Sequence, residues 1–471
     1  MNSLHKGERW KKKLGRVWGV WDKERVMSEW KEYRFSQLCD ISRGASPRPI
    51  QDYLTKNEGM PWVKIADATN NSSKYIKTTN ENIKLNGVNK SVRVYKGDLI
   101  LSNSATPGLP KFMGIDACIH DGWMLLRNFK NITKEFAYWL LLNERKKLVH
   151  QGNGSVFINL KTDILKNHIV KVPNIDTQNK IVKILDQIND KIELNTQTNQ
   201  TLEQIAQATF KHWFIDFAPV HAKANALASG ASPEQAELAT MASLSGKTIA
   251  EITALQHTTP EAYQQLQQTA RAFPSEFVES EMGLVPKGWE AGTIGTISTS
   301  RREKVKNENA IVLSAISSGE LIRSEEYFSK QVYSKNIEKY LKVYPLDFAY
   351  NPSRINIGSI GLHKENFIGA VSPVYEVFTP KEHYHWFLEL IINTNYIKDS
   401  IKILSSGSVR QSLKLYEFQS IKIIIPPSNL IKIFNNTLIL LNQVIDKNEN
   451  SILEKIRDEL LPKLLNGEIE L

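Results

Sequence analysis

The sequence of 471 residues contains only two cysteines, Cys39 and Cys118, so it offers neither a disulfide framework nor a four-cysteine metal site. No apolar run approaches the roughly 18–20 residues that a membrane helix needs. The N-terminus also lacks the uninterrupted apolar core of a signal peptide. These absences predict a cytoplasmic protein without a membrane partner.

Sequence motifs of enzymes are incomplete in this chain. Asn351–Arg354 resembles the Asn-Pro-Pro-aromatic motif of amino-methyltransferases, but it lacks the second proline and the aromatic residue. Ser245–Thr248 resembles the end of a phosphate-binding loop, yet Met241 stands where that loop requires glycine and no strand precedes it, so a helix start is expected there. No Pro-Asp dipeptide occurs, which argues against a nuclease, and His383 and His385 have no cysteine or further histidine nearby. The sequence therefore predicts no catalytic residue, cofactor site or metal site.

Length and charge suggest several packed units and an anionic partner. A hydrophobic content of 41% supports packed cores, and the length predicts two to four units. The net charge is +10 and the pI is about 9.2, which favours nucleic acid as a partner. Half of the excess lies in residues 1–26, with eight Lys or Arg against three acids. This segment is either an upstream extension, with Met27 the natural start, or an additional nucleic-acid-binding arm.

The chain contains an internal repeat at an offset of 253 residues. Gly154–Pro173 reads GSVFINLKTDILKNHIVKVP, and Gly407–Pro426 reads GSVRQSLKLYEFQSIKIIIP, with six identities in twenty positions. Each run closes a segment in which β-rich stretches alternate with turn clusters and a helical stretch, which indicates an α/β globule. Behind each run comes a long amphipathic stretch, 176–217 or 428–465. The sequence therefore predicts two globules, each followed by a long helix.

The two long helices carry matching apolar seams. Positions 181, 185, 188 and 192 are apolar, step by four and three, and map at the same offset onto the apolar positions 434, 438, 441 and 445. Neither helix is apolar on all sides, so each needs a partner, and the other helix is the obvious one.

Between the two halves lies an Ala/Gln-rich stretch, 222–272, which is either a set of short surface helices or flexible connector, or a docking platform for a partner subunit.

Polar residues in matching loops of the two halves are the candidate DNA-binding residues. Asn and Gln can hold adenine, Arg can hold guanine, and Ser and backbone N–H groups bind phosphate. Any one of them taken alone is better explained as an ordinary surface loop residue, but matching loops that differ in polar content are what two readers of different sequences would show. The candidates in the first half are Ser102, Asn103, Ser104, Lys111, Ser155, Asn159 and Lys161, and those in the second half are Asn351, Ser353, Arg354, Asn356, Ser408, Arg410, Gln411 and Lys414.

Several segments, by their order and spacing along the chain, make it resemble the specificity (S) subunit of type I restriction-modification enzymes. They are the two Gly-Ser-Val loops, Phe210–Phe217 (FKHWFIDF), Glu281–Trp289 (EMGLVPKGW) and Leu460–Ile469 (LLPKLLNGEI). The resemblance runs from about Met27 to the C-terminus. It implies an α/β (α+β) architecture, in which two pseudo-symmetric globular DNA target-recognition domains are separated by a two-helix antiparallel coiled coil. The corresponding division is a basic extension (1–26), a first recognition domain (27–173), a first spacer helix (174–218), a connector (219–280), a second recognition domain (281–426), and a second spacer helix with the C-terminal tail (427–471).

The same resemblance implies the partners. Each recognition domain would read one half of a bipartite site in double-stranded DNA, two methylation (M) subunits would dock on the chain, and restriction (R) subunits would join them. The chain itself would be non-catalytic and hold no cofactor, while the partner subunits use S-adenosylmethionine, ATP and Mg²⁺. The alternatives are a nucleic-acid-modifying enzyme such as a fused methyltransferase, or a coiled-coil scaffold without DNA contact.

An antiparallel pairing of equivalent helices would bring equivalent residues together near the middle. Asn195 lies close to the midpoint of the first helix, and Asn448 is its equivalent in the second. A buried asparagine in such a seam can fix the register of a coiled coil. The sequence therefore predicts that these two side chains approach each other, the alternative being two solvated asparagines.

Overall fold

The computed structural model describes residues 30–69, 73–151, 159–328, 330–405, 412–444, 447–469 and 471. The basic segment 1–26 lies outside the described residues. The chain divides into a first unit, Met1–Asn199 with Asp446–Leu471, and a second unit, Gln200–Ile445. These divisions fall within the two helical stretches that follow Pro173 and Pro426, so each unit contains one globular module and part of both stretches.

The first module, residues 30–173, alternates short strands with short helices, as its turn-rich sequence predicts. Its strands are β1 (Lys31–Arg34), β2 (Asp40–Arg43), β3 (Leu54–Thr55), β4 (Met60–Val63), β5 (Tyr75–Ile76), β6 (Glu81–Ile83), β7 (Val92–Val94), β8 (Leu99–Ser102), β9 (Pro110–Met113), β10 (Ala117–Ile119), β11 (Trp123–Arg127) and β12 (Ile169–Val172). Its helices are α1 (Phe35–Leu38), α2 (Ile65–Thr69), α3 (Leu85–Val88), α4 (Lys134–Gln151) and α5 (Thr162–Asn167), with a 3-10 turn at Ile50–Asp52.

A long helix follows the first module and leads to a group of four shorter helices. The long helix is α6 (Ile175–Phe210), which has 36 residues and continues into a π-helical turn at Lys211–Ile215. The four helices are α7 (Ala218–Ala228), α8 (Pro233–Ser245), α9 (Ile249–Thr258) and α10 (Pro260–Arg271). Met241, Ile252 and Ala270 form a small buried core between them. This Ala/Gln-rich stretch is therefore packed helix rather than flexible connector.

The segment Ser245–Thr248 is a junction between two helices. Gly246 ends α8 in the left-handed conformation, with φ of 68°. The Thr248 hydroxyl accepts a hydrogen bond from the Glu251 N–H, and the Glu251 carboxylate accepts one from the Thr248 N–H at 2.8 Å, so the two residues form a capping box for α9. The predicted helix start is confirmed, and the segment is not a phosphate-binding loop.

The second module, residues 289–426, follows a hairpin of β13 (Phe277–Ser280) and β14 (Gly283–Pro286). Its strands are β15 (Glu290–Thr293), β16 (Ser298–Arg301), β17 (Ile311–Ala315), β18 (Leu321–Arg323), β19 (Leu341–Val343), β20 (Phe348–Tyr350), β21 (Ile360–Leu362), β22 (Gly369–Val371), β23 (Glu376–Pro380) and β24 (Lys422–Ile425). Its helices are α11 (Ser324–Tyr327), α12 (His385–Ile392), α13 (Asn395–Ser405) and α14 (Leu415–Gln419), with 3-10 turns at Ile294–Ile297 and Ile355–Ile357. Two further helices, α15 (Ser428–Val444) and α16 (Lys447–Leu465), complete the chain.

The two modules share one sheet topology. The order β2-β11-β8-β9 in the first module corresponds to β16-β23-β20-β21 in the second, and the order β4-β10-β7 corresponds to β17-β22-β19. The pairs β4–β10 and β17–β22 are parallel at equivalent places. In each module the first and last strands, β1 with β12 and β15 with β24, form a separate antiparallel pair. The internal repeat seen in the sequence is confirmed by this correspondence.

The core of the first module lies on both faces of its central strands. In β8, Leu99 and Leu101 belong to one hydrophobic cluster while Ile100 belongs to another, because successive side chains of a strand point to opposite faces. The first of these clusters includes Phe136 and Leu140 of α4, which covers one side of the sheet. Near-continuous apolar strands are the result of burial on both faces.

The first module packs on α6 and α16 within its own unit. Ile181 and Leu185 of α6 are buried in the same cluster as Leu464 and Leu465 of α16. The predicted seam positions at the start of the first spacer helix are therefore core positions.

The second module packs in the corresponding way on α15 and the end of α6. Phe434 and Leu438 of α15, the repeat equivalents of Ile181 and Leu185, are buried in one cluster with Phe210 and Trp213. The same two seam positions thus anchor a module in each unit.

Polar contacts in the first unit show that α6 and α16 run antiparallel. Asn195 Nδ2 donates to Asn450 Oδ1 at 3.0 Å, and Arg457 Nη1 donates to Asn189 Oδ1 at 3.4 Å. Residue numbers fall along one helix as they rise along the other. The side chain of Asn448 lies outside the described residues, so its predicted approach to Asn195 stays a prediction.

Membrane and metal sites are not found in the part of the chain that the structure describes. None of these helices combines the length and apolarity that a membrane crossing requires. Over the same residues, no group of three or more His, Cys, Asp or Glu side chains is placed to hold a metal ion. His385 begins α12 after the N-cap residue Tyr384.

Candidate nucleic-acid interface

One backbone hydrogen bond in each unit joins the two polar loops that the sequence singles out. In the first unit the Leu160 N–H donates to the Asn103 carbonyl at 2.8 Å. In the second unit the Leu413 N–H donates to the Pro352 carbonyl at 3.0 Å. Leu160 and Leu413 are repeat equivalents, separated by 253 positions. Both modules therefore bring the loop after a central strand beside the end of the Gly-Ser loop.

The first unit exposes part of its predicted set at this junction. Asn159 and Lys161 are exposed, and Ser104 is half-buried. Lys161 is the N-cap residue of α5, and its backbone is extended rather than helical. Ser155 lies outside the described residues. These three accessible residues carry the amide, ammonium and hydroxyl groups that suit contact with bases or phosphates.

Ser102, Asn103 and Lys111 are buried, which corrects the expectation that they face solvent. The Ser102 Oγ accepts the Leu109 N–H at 2.9 Å, and Asn103 Nδ2 donates to the Asp121 carbonyl at 3.0 Å. Lys111 Nζ donates to the Ser73 carbonyl. The polar groups at the end of β8 are therefore used to close the turn that leads into β9. The sequence pattern at a strand end does not distinguish this internal use from exposure.

The buried Lys111 predicts a pH dependence of stability. Burial lowers its pKa to about 8, against a smaller opposing effect of Glu193. Between that value and the ordinary lysine pKa of 10.5, the unfolded chain binds a proton that the folded chain does not, so the free energy of unfolding should rise with pH. Lys111→Met should abolish this contribution, as measured by urea unfolding between pH 7.5 and 10.5. Lys96→Met, at an exposed lysine of the same module, serves as the control, and parallel pH curves for wild type and Lys111→Met would contradict the assignment.

The second unit presents a different set of polar groups at its junction. Ser353 and Arg354 are exposed, and Asn356 is half-buried in the 3-10 turn after them. The half-buried Asn351 accepts the Ser353 N–H on Oδ1 at 3.1 Å, a local hydrogen bond that closes a turn at Asn351–Ser353. Lys414 is exposed at the N-cap of α14. Ser408, Arg410 and Gln411 lie outside the described residues.

An open groove in the first unit was not anticipated from the sequence. Its cavity volume is about 1000 Å³. The residues that line it are Ser46, Pro47, Arg48, Pro49, Ile50, Gln51, Trp62, Lys64, Ala66, His120 and Asp121. The turn cluster at Gly44–Pro47 is visible in the sequence, but the opposite wall comes from residues about 75 positions further along the chain. No local pattern relates these two segments.

Asp121 connects this groove to the loop junction of the first unit. Its carboxylate accepts the Ser46 hydroxyl at 2.7 Å, and its backbone carbonyl accepts both Arg43 Nε at 2.9 Å and Asn103 Nδ2 at 3.0 Å. The hydrogen bond from Ser46 is the largest cause that lowers the Asp121 pKa. Burial lowers the pKa of the neighbouring His120, whose Nδ1 accepts the Gly122 N–H at 2.8 Å, so this imidazole is neutral at pH 7.

Comparisons with known proteins identify what this chain is similar to. Residues 27–204 match the family model described as the Type I restriction modification DNA specificity domain. The chain is 34% identical to the Type I restriction enzyme HindI specificity subunit of Haemophilus influenzae, over 94% of this chain and 100% of that protein. It is 23% identical to the MjaIX specificity subunit of Methanocaldococcus jannaschii, over 94% of each. A crystal structure of the S subunit of a type I restriction-modification system from M. genitalium is similar in fold, with a TM-score of 0.50 and 14% identity, over 92% of this chain and 96% of that one.

Proposed function

The chain belongs to the specificity subunits of type I restriction enzymes, and from that premise we propose that its two modules select the DNA sequence on which a restriction-modification complex acts. The family is the non-catalytic, DNA-recognition component, and catalysis lies in other subunits. The chain therefore acts by binding DNA and by assembling with those subunits. Neither a fused methyltransferase nor a scaffold without DNA contact is favoured by this family membership.

Each module reads one half of a bipartite site in double-stranded DNA. The observation that carries this proposal is the equivalent hydrogen bond, from Leu160 or Leu413, that joins two polar loops in modules of the same topology. The shared scaffold supports a shared task. The exposed groups differ, with Asn159 and Lys161 in one module and Arg354 and Lys414 in the other, which is what two readers of different sequences require. The reading domains are proposed to be residues 27–173 and 281–426.

The long helices set the separation of the two half-sites and provide docking surfaces for two methylation subunits, which restriction subunits join. The antiparallel contacts of Asn195 and Arg457 in the first unit support a single register for α6 and α16. S-adenosylmethionine, ATP and Mg²⁺ belong to the partner subunits in this proposal. Half-sites read on one face of B-DNA lie about one helical turn, ~34 Å, apart.

Mapping methylated adenines tests both the function and the role of the helices. In a genome whose sole type I system contains this chain, we expect methylation at one bipartite motif with a fixed number of unread base pairs. Four residues inserted into both spacer helices add about 6 Å of helix. Because base pairs are stacked about 3.4 Å apart, this length is on the order of two base pairs, and the unread interval should change.

The matched control places the same four residues after Gly230, where the left-handed backbone has open space around it. This insertion should leave the interval unchanged. Methylation that does not depend on the chain would contradict the proposed function. A bipartite motif whose interval is unaffected by the helix insertions would contradict the helices as the determinant of spacing.

A further inference from the structure

We propose that Arg48 is a specificity-determining residue of the first module and recognises a guanine in the major groove of its half-site. The inference rests on the proposed function and deepens it. It concerns the groove lined by Ser46–Gln51, Trp62, Lys64, Ala66, His120 and Asp121, which lies within the first unit. The occupant is the edge of a DNA base pair, because the groove carries cationic and amide side chains on an aromatic wall.

The loop that carries Arg48 is fixed in place by hydrogen bonds on both sides of Gly44. The Gly44 N–H donates to the Trp123 carbonyl at 2.8 Å, and the side chain of Arg43 donates to the Asp121 carbonyl at 2.9 Å. A Cβ atom at Gly44 would lie 2.1 Å from the His120 carbonyl oxygen, so a glycine is required for this close approach. The Ser46 hydroxyl then binds the Asp121 carboxylate at 2.7 Å. The backbone immediately before Arg48 is therefore anchored to the opposite wall of the groove.

Arg48 is held between two prolines on this anchored loop. The rings of Pro47 and Pro49 restrict the backbone dihedral φ, and a following proline also restricts the residue before it. Little backbone freedom remains to be lost when the side chain binds a ligand, and that lowers the entropic cost of recognition. A rigid backbone with a long side chain is a suitable way to present a guanidinium group.

The guanidinium of Arg48 is available for such a contact. Its side chain is 83% exposed, and Nη2 lies 3.6 Å from Asp121 Oδ2, beyond hydrogen-bond distance. Asp121 thus attracts the guanidinium toward the groove without using its donors in a hydrogen bond. Arginine offers two parallel N–H groups that match the O6 and N7 acceptors of guanine, the commonest specific contact in the major groove.

Arg301, which ends β16, is the equivalent of Arg43 at the end of β2, and the loop that follows β16 contains neither of the prolines that flank Arg48. Arg301 and Arg302 stand at the end of β16 and directly after it, the strand equivalent to β2. Arg301 Nε binds Asp347 Oδ2 at 2.7 Å, and Arg302 Nη2 binds Glu376 Oε2 at 2.5 Å. Those guanidinium groups stabilise the module, whereas Arg48 projects from its loop. The loops that follow these two equivalent strands therefore differ in sequence, which suits the reading of different half-sites.

Arg48→Ala and Arg48→Lys distinguish base recognition from phosphate contact. The full chain is expressed with its methylation subunits, and methylated adenines are mapped across a genome. Base recognition predicts that both variants lose discrimination at one G·C position of the first module's half-site by about tenfold or more, since lysine lacks the planar fork. The other half-site and the interval between them should be unchanged.

Arg93→Ala, at an exposed arginine of the same module that does not line the groove, is the matched control and should keep the wild-type motif. The proposal is overturned if Arg48→Ala weakens methylation of all sites alike while Arg48→Lys restores it, which is the behaviour of a phosphate contact. It is also overturned if neither variant changes the motif. Absence of any bipartite motif with the wild-type chain would instead overturn the proposed function.

Discussion

Phe434→Ala should lower the free energy of unfolding of the second unit by about 3–5 kcal/mol, the range observed when a buried phenylalanine is replaced by alanine. Phe434 is fully buried in α15, with its ring centroid 5.0 Å from that of Phe214 and 5.5 Å from that of Trp213. The substitution removes the ring on which the end of α6 and the π-helical turn pack. Edge-to-face aromatic pairs add to the loss beyond the buried area.

Urea unfolding of the full chain, followed by tryptophan fluorescence, measures this effect. Ile439→Ala is the matched control because Ile439 lies on the same helix and is 45% exposed. It should cost clearly less than Phe434→Ala. Equal losses for the two variants would show that the aromatic cluster does not hold α15 in place.

Exchange of Trp30–Val172 for the equivalent segment of another specificity subunit should replace one half-site completely and leave the other unchanged. The two ends of this segment lie side by side, because Lys31 pairs with Val172 in the β1–β12 ladder. The module is therefore joined to the rest of its unit through a two-stranded stem, and a foreign module with the same stem can take its place. The motif of the hybrid is read by mapping methylated adenines.

The position of the exchange points is the critical variable in this experiment. A hybrid that is cut after Arg43 would combine a resident β2 with a foreign β11, its hydrogen-bonded partner, and should fail to assemble. The corresponding exchange in the second module uses the β15–β24 stem, where Glu290 pairs with Ile425. Simultaneous loss of both half-sites in a folded stem hybrid would contradict independent reading by the two modules.

The features that could be predicted from the sequence are those with a local period or a repeat. The apolar seam at steps of four and three identifies Ile181 and Phe434 as equivalent core positions, and both are buried. α6 lies within the predicted spacer stretch for the same reason. Apolar runs bounded by turn residues give the central strands of each module. These signals are carried by neighbouring residues, so one chain is enough to detect them.

Features that depend on distant segments could not be predicted. The burial of Ser102 depends on the turn that folds back to Leu109. The groove around Arg48 depends on a loop about 75 positions away. In each case the deciding partner is set by tertiary structure.

The shared use of Asp121 by three residues from two chain segments has an evolutionary consequence. Arg43, Ser46 and Asn103 all donate a hydrogen bond to Asp121. A substitution in either segment therefore changes the position of Asp121, and with it the hydrogen bonds that the other residues make. The effects of such substitutions are therefore non-additive. A lineage that altered its target one residue at a time would meet strong epistasis here, whereas recombination that imports all the loops together avoids every faulty intermediate.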